Sequence, residues 1–143
     1  MPRGIPTSVV RYFQQVPLFG DLSKRGVRRV IQAASEIDEP AGTVLVREGD
    51  LGRELYILVG GTARVSRGGR KIAEMGPGDF FGELAFLSHA PRTATVTSTS
   101  DSRLMILGPR ELEVLISQEP RIGIKMLGVV AKRLREVESS LTQ

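Results

Sequence analysis

Residues 80–96 run Phe80-Phe81-Gly82-Glu83-Leu84-Ala85-Phe86-Leu87-Ser88-His89-Ala90-Pro91-Arg92-Thr93-Ala94-Thr95-Val96. Gly82 lets the backbone approach another group closely. Glu83 to Leu87 is long enough for one or two helical turns. A helix start carries unpaired N–H groups and the positive end of the dipole, and together these attract an anion such as phosphate. Arg92 follows Glu83 by nine positions, after a loop containing Pro91. From there it can return to the helix start and neutralise an anion with directed hydrogen bonds. Glu83 can accept a hydrogen bond from a hydroxyl, which a ribose supplies. One short segment thus has the means to hold a sugar together with its phosphate. Each part also has a purely structural use: Gly82 in a tight turn from strand to helix, Glu83 in a favourable first helical turn, Arg92 in an ion pair with Glu83 or another carboxylate.

On either side of this segment the pattern is that of short strands. Between Ala41 and Leu107, runs rich in Val, Ile, Leu, Thr and Tyr alternate with glycine-containing punctuation. The runs are Thr43 to Arg47, Glu54 to Val59, Thr62 to Arg67, Arg70 to Met75, Thr93 to Thr99 and Arg103 to Leu107. Gly68-Gly69 between two of them predicts a two-residue hairpin turn. Many short strands at this spacing imply a sandwich, jelly roll or barrel.

Helices flank the strands. Val9, Val10, Phe13 and Val16 fall on one side of a helix that Pro17 stops. Ser23 caps a second helix, with Val27, Val30, Ile31 and Ala34 on one face and Lys24, Arg25, Arg28 and Arg29 on the other. That basic face is an anion patch or, more commonly, a solvated surface. Pro109 is well placed at a first helical position, with Glu111 and Glu113 near the positive end. Pro120 opens a last helix. In it Gly123, Leu127, Val130, Leu134, Val137 and Leu141 form a heptad-like seam, fit to pack on the chain's own barrel or to pair with a second copy.

Composition narrows the function classes. The 143 residues, 41% of them apolar, suit one domain with one core. With no Cys and the single His89, neither a disulfide framework nor a His-rich metal site of the cupin kind is expected. No apolar run approaches the ~20 residues of a membrane span, and no signal-peptide stretch opens the chain. The expectation is a soluble protein of the cytoplasm. The net charge of +4 is compatible with an anionic partner or a solvated basic surface.

The motifs Phe81-Gly82-Glu83-Leu84-Ala85 and Pro91-Arg92-Thr93-Ala94-Thr95-Val96, with the gap between them, resemble the phosphate-binding cassette of the cyclic nucleotide-binding domain family. That family includes the catabolite activator, kinase regulatory subunits and nucleotide-gated channels. Pro17-Leu18-Phe19 with Asp21-Leu22-Ser23 resembles its helical entry. Glu48-Gly49-Asp50, Leu55-Tyr56-Ile57-Leu58 and Gly61 resemble its early barrel, and Gly76-Pro77-Gly78-Asp79 its run into the cassette. The resemblance covers Val9 to Val137. It implies a mainly β fold: an eight-stranded β-roll (a jelly roll, or double-stranded β-helix) with N-terminal helices, a short cassette helix and C-terminal helices. It implies a single domain over 1–143, with helices in 1–36, the roll in 37–108 and helices in 109–143. The implied function is a sensor that binds cAMP or cGMP and signals by movement of its C-terminal helices. The alternative is the sensor half of a transcription regulator related to the catabolite activator, because no DNA-binding element follows the last helix in this chain. No enzymatic activity, cofactor or metal is implied.

By the same resemblance, Glu83 accepts the ribose 2′-hydroxyl and Arg92 pairs with the cyclic phosphate. The amides of Gly82 or Glu83, Leu84, Ala85 and Thr93 complete the cradle, and Val65, Ala73 and Met75 line the base pocket. Thr93 permits either purine. If the last helix is a lid, it carries no aromatic residue and must use groups such as Lys132, Arg133, Leu134 or Arg135. Ile122, Leu127, Val130 and Leu134 are its expected contacts to Phe86 and Leu87. A second copy or an effector protein is the expected macromolecular partner.

Overall fold

A computed structural model describes residues 5–141, without the side chains of residues 140 and 141. Eight strands, all paired antiparallel, form two four-stranded sheets, with order β1-β8-β3-β6 and β2-β7-β4-β5. The strands are β1 (Ser35–Glu39), β2 (Val44–Val46), β3 (Leu55–Gly60), β4 (Ala63–Arg67), β5 (Arg70–Met75), β6 (Phe80–Phe81), β7 (Thr95–Ser98) and β8 (Ser102–Leu107). Helices α1 (Thr7–Gln14) and α2 (Lys24–Ala33) precede them, joined by a 3₁₀ turn at Pro17–Phe19. Helix α3 (Glu83–Ser88) follows β6, and α4 (Pro109–Gln118) and α5 (Pro120–Leu141) close the chain. The architecture is the β-roll with flanking helices that the resemblance implies.

The first sheet is covered on both faces, which explains the unbroken apolar run Leu55-Tyr56-Ile57-Leu58-Val59. Leu55, Ile57 and Val59 face the helices, packing in one cluster with Phe13, Phe19, Val30, Leu112 and Ile122. Leu58 faces the interior of the roll with Ala63, Met75, Phe81, Val96 and Leu104. The β4–β5 hairpin turns at Gly68 and Gly69, whose φ of 58° and 79° match the primed turn that follows the right-handed twist of a hairpin. Ser23 caps α2 by accepting from the Gly26 amide at 3.1 Å.

Two strands are additions to the sequence reading. β1, Ser-Glu-Ile-Asp-Glu, begins two residues ahead of the expected boundary at 37 and has little strand propensity of its own. It forms by pairing along β8, with Asp38 opposite Arg103 and Arg103 Nε 2.9 Å from the Asp38 carboxylate. That hydrogen bond holds the exposed Asp38 carboxyl below its ordinary value. Such charged residues also suit an edge strand, where they discourage pairing with other chains. β6 is only Phe80–Phe81, set by its pairing with Ile57 and Tyr56.

The orientation of α5 corrects the expected contacts. Ile122 and Met126 are buried in the helix-facing cluster with Phe86, and Val129 packs on it. Leu127, Leu134 and Val137 are more than half exposed, and Leu87 is also exposed. The seam therefore does not face the chain's own roll, and Leu127 and Leu134 are not contacts of Phe86. The 3.6-residue period puts Ile122, Met126, Val129 and Arg133 on one face and Ile124, Leu127 and Leu134 on another. The side chain of Leu141 lies outside the described residues. Accordingly, Ile122→Val is expected to lower stability by ~0.5–1.5 kcal/mol, whereas Leu127→Ala should change it by no more than ~0.5 kcal/mol. Urea denaturation of the two variants checks this; a larger loss at Leu127 would reverse the assigned faces.

Candidate functional site

A cavity of about 570 Å³ opens beside the start of α3, within the size range of small-molecule sites. All nine expected site residues line it: Val65, Ala73, Met75, Gly82, Glu83, Leu84, Ala85, Arg92 and Thr93. The β4–β5 hairpin forms one wall, where Val65 pairs with Ala73 and Ala63 with Met75. α5 forms another through Lys125, Val129, Arg133 and Glu136. Of the four lid groups expected on this helix, Arg133 lines the cavity, while Lys132, Leu134 and Arg135 do not.

Gly82 makes the turn from β6 into α3 with φ 95°. A Cβ at this position would lie 2.6 Å from both Arg92 Nη1 and the Glu54 carbonyl oxygen, so glycine is required here for two reasons. The first helical bond runs from the Phe86 amide to the Gly82 carbonyl at 3.3 Å. The amides of Glu83, Leu84 and Ala85 precede it and have no acceptor within the helix.

Among the described residues, Glu83 and Arg92 are the two buried charged side chains, 2% and 6% exposed. They do not pair with each other. Arg92 Nη2 donates to Glu54 Oε2 at 3.1 Å, and Nη1 donates to the Glu54 carbonyl at 3.0 Å. The guanidinium also lies over the Tyr56 ring at 5.6 Å, and Tyr56 stacks on Phe81 at 5.0 Å. Burial, reinforced by the Glu54 charge and offset in part by Arg92, raises the Tyr56 phenol above its ordinary value. The backbone of Arg92 is fixed too: its amide donates to Asp50 O at 2.9 Å, and its carbonyl accepts from the Gly49 amide at 2.8 Å. Glu83 Oε1 accepts from Arg133 Nη1, an ion pair that ties α5 to α3. Thr93 is exposed at the cavity, and its carbonyl accepts from Arg67 Nε at 2.9 Å.

Sequence reasoning missed Glu54 and Tyr56. They are close to Arg92 only through the β3 contact, 38 and 36 positions away in the chain. The signal available was the general one that a buried arginine needs a carboxylate. Among the described residues, no group of three His, Asp or Glu side chains is arranged to hold a metal ion.

Chemically, this arrangement suits an anion next to a hydroxyl-bearing group. Arg92 lines the cavity from a buried position, the α3 residues with free amides line it too, and Glu83, the first residue of that helix, supplies a carboxylate acceptor.

A model of the cyclic nucleotide-binding domain matches residues 38–119. A cyclic nucleotide-gated potassium channel of Rhizobium etli is 34% identical over 108 residues, covering 76% of this chain and 30% of the channel. The crystal structure of the Thermus thermophilus catabolite activator protein superposes with a TM-score of 0.83 at 31% identity, covering 88% of this chain and 62% of that one. The regulatory domain of Toxoplasma gondii PKA, crystallised with cAMP, superposes with a TM-score of 0.66 at 42% identity, covering 74% of this chain and 42% of that one. The chain thus spans less than two thirds of the length of each of these relatives.

Proposed function

The chain belongs to the cyclic nucleotide-binding domain family, and we propose that the cavity beside α3 is where it holds cAMP or cGMP as a sensor. The observation that carries this reading is the pair of buried charges, Glu83 and Arg92, facing one cavity from either end of one short segment. A buried charge is costly unless it is matched. Here each has one ionic partner and lines the cavity, so a ligand with complementary groups there completes both. The cyclic phosphate takes the Arg92 guanidinium and the amides of Gly82 to Ala85 and of Thr93. The ribose 2′-hydroxyl donates to Glu83. The purine lies against Val65, Ala73 and Met75, with α5 across the opening. Thr93 offers a hydroxyl at the phosphate end and accommodates either base.

The ligand is held without chemical change, and the chain works as one domain over 1–143. The signal leaves through α5, because Arg133 links that helix to the residue that takes the sugar. The apolar stripe of Ile124, Leu127, Leu134 and Val137 is the surface for a second copy or an effector. Among the described residues no helix is long and apolar enough to cross a membrane, and we assign the chain to the cytoplasm.

Titration calorimetry with cAMP and cGMP tests the reading. At a ligand concentration of ~100 times Kd, binding to the native state adds about 2.7 kcal/mol of stability. Melting should then rise by on the order of 10 °C for a chain of this size. Absence of both heat and thermal shift with either nucleotide would overturn it.

A further inference from the structure

We propose that Arg53 is a positioning residue for this site, fixing the far end of α3 while its neighbour Glu54 fixes Arg92. The inference rests on the cavity being the cyclic nucleotide site. Arg53 lies in the loop between β2 and β3, away from the cavity lining. Its Nη2 donates to the Phe86 carbonyl at 3.1 Å and lies 2.9 Å from His89 Nε2. Its guanidinium carbon stands 5.6 Å from the centroid of the Phe86 ring.

The Phe86 carbonyl belongs to the last turn of α3, where carbonyls lack helical donors and a cation opposes the negative end of the dipole. His89 is the residue that ends the helix, in a left-handed conformation at φ 58°. Among the described residues it is the one non-glycine with positive φ, so something must hold it. An arginine has donors only, so His89 Nε2 is the acceptor and the ring proton is on Nδ1. One side chain therefore satisfies both the helix end and the residue that terminates it. The Arg53 Nε is buried without a partner. That arrangement is costly, and it is not what a side chain free to turn toward water adopts.

The next residue, Glu54, holds Arg92 through both its carbonyl and its carboxylate. Between these two grips run His89, Ala90 and Pro91, all exposed. Consecutive loop residues thus hold both ends of this exposed connection through their side chains and the Glu54 carbonyl, in addition to the backbone bonds of His89 to Ala85 and of Arg92 to Asp50 and Gly49. That connection sets the separation between the α3 amides and the Arg92 guanidinium. Arg53 touches no ligand; it acts on affinity through that separation.

The test compares the parent with Arg53→Met, which keeps the stem length without the donors, and Arg53→Lys, whose ammonium can serve both acceptors. Arg53→Met should lose about tenfold in cAMP or cGMP affinity by calorimetry, the scale of one hydrogen bond from a charged group. Arg53→Lys should return to within about threefold of the parent. In the nucleotide-free protein, Arg53→Met should speed amide exchange at Phe86 to His89 and leave β3 and β8 unchanged. Parent-like affinity of Arg53→Met, or equal losses in both variants with faster exchange throughout, would overturn the proposal. If the parent binds neither nucleotide, the functional reading fails by itself. The exchange result then decides alone whether Arg53 holds α3: slow exchange at Phe86 to His89 in Arg53→Met refutes it.

Discussion

Arg92→Ala is expected to cost about 2–5 kcal/mol of cyclic nucleotide binding, roughly a 30-fold to several-thousand-fold loss of affinity. The size follows from burial. Arg92 is 6% exposed, so its charge acts on a phosphate with little screening by water. In the variant the phosphate keeps only backbone amides, and Glu54 is left without its cation at the edge of the site. The fold should persist. The roll is held by apolar clusters to which Arg92 does not belong, and its backbone bonds to Gly49 and Asp50 do not depend on the side chain. Circular dichroism establishes folding, and calorimetry then reads affinity. A folded Arg92→Ala protein that binds both nucleotides like the parent would remove Arg92 from the phosphate site.

Glu83→Ala is expected to weaken binding by about 1.5–3 kcal/mol, the range for a hydrogen bond to a charged group. The informative quantity is a comparison between ligands. In the parent, the ribo ligand should bind more tightly than its 2′-deoxy analogue, and in Glu83→Ala that difference should collapse. The freed Arg133 side chain is half exposed and can turn to water, so its lost ion pair adds little to the change. Equal losses for both ligands would place Glu83 somewhere other than at the sugar.

How much was legible in the sequence differed by distance along the chain. The β5 run Arg70–Met75 and the glycine turn before it were plain, because hairpin chemistry is local. Glu83 and Arg92 were legible as candidates because they lie nine positions apart in one segment, and the structure puts both at one cavity. β1 was not, since Ser35 to Glu39 becomes a strand only through its partner β8. The pairings of the two buried charges were not legible for the same reason: Glu54 and Arg133, the latter expected only as a lid group, reach the site from other elements, 38 and 50 positions away. α5 was misjudged for a different reason. It carries apolar residues on two adjoining stripes, and periodicity alone cannot choose which one turns inward. Burial of Ile122 and Met126 settles that choice, leaving Leu127 and Leu134 outside.

The stacking of Tyr56 on Phe81 beneath Arg92 also gives the molecule an optical property. The chain has no tryptophan and two tyrosines, so its tyrosine emission comes from Tyr12 and Tyr56, with no indole to mask it. Tyr12 is on α1, with its hydroxyl donating to the Val59 carbonyl. Tyr56 has a guanidinium 5.6 Å from its ring and a parallel phenyl at 5.0 Å. Any reorientation of Arg92 alters the charge over that ring and with it the yield and lifetime of the excited state. A Tyr12→Phe protein would keep one emitter, set against the residue assigned to the phosphate, and could follow occupancy of the site without an attached dye.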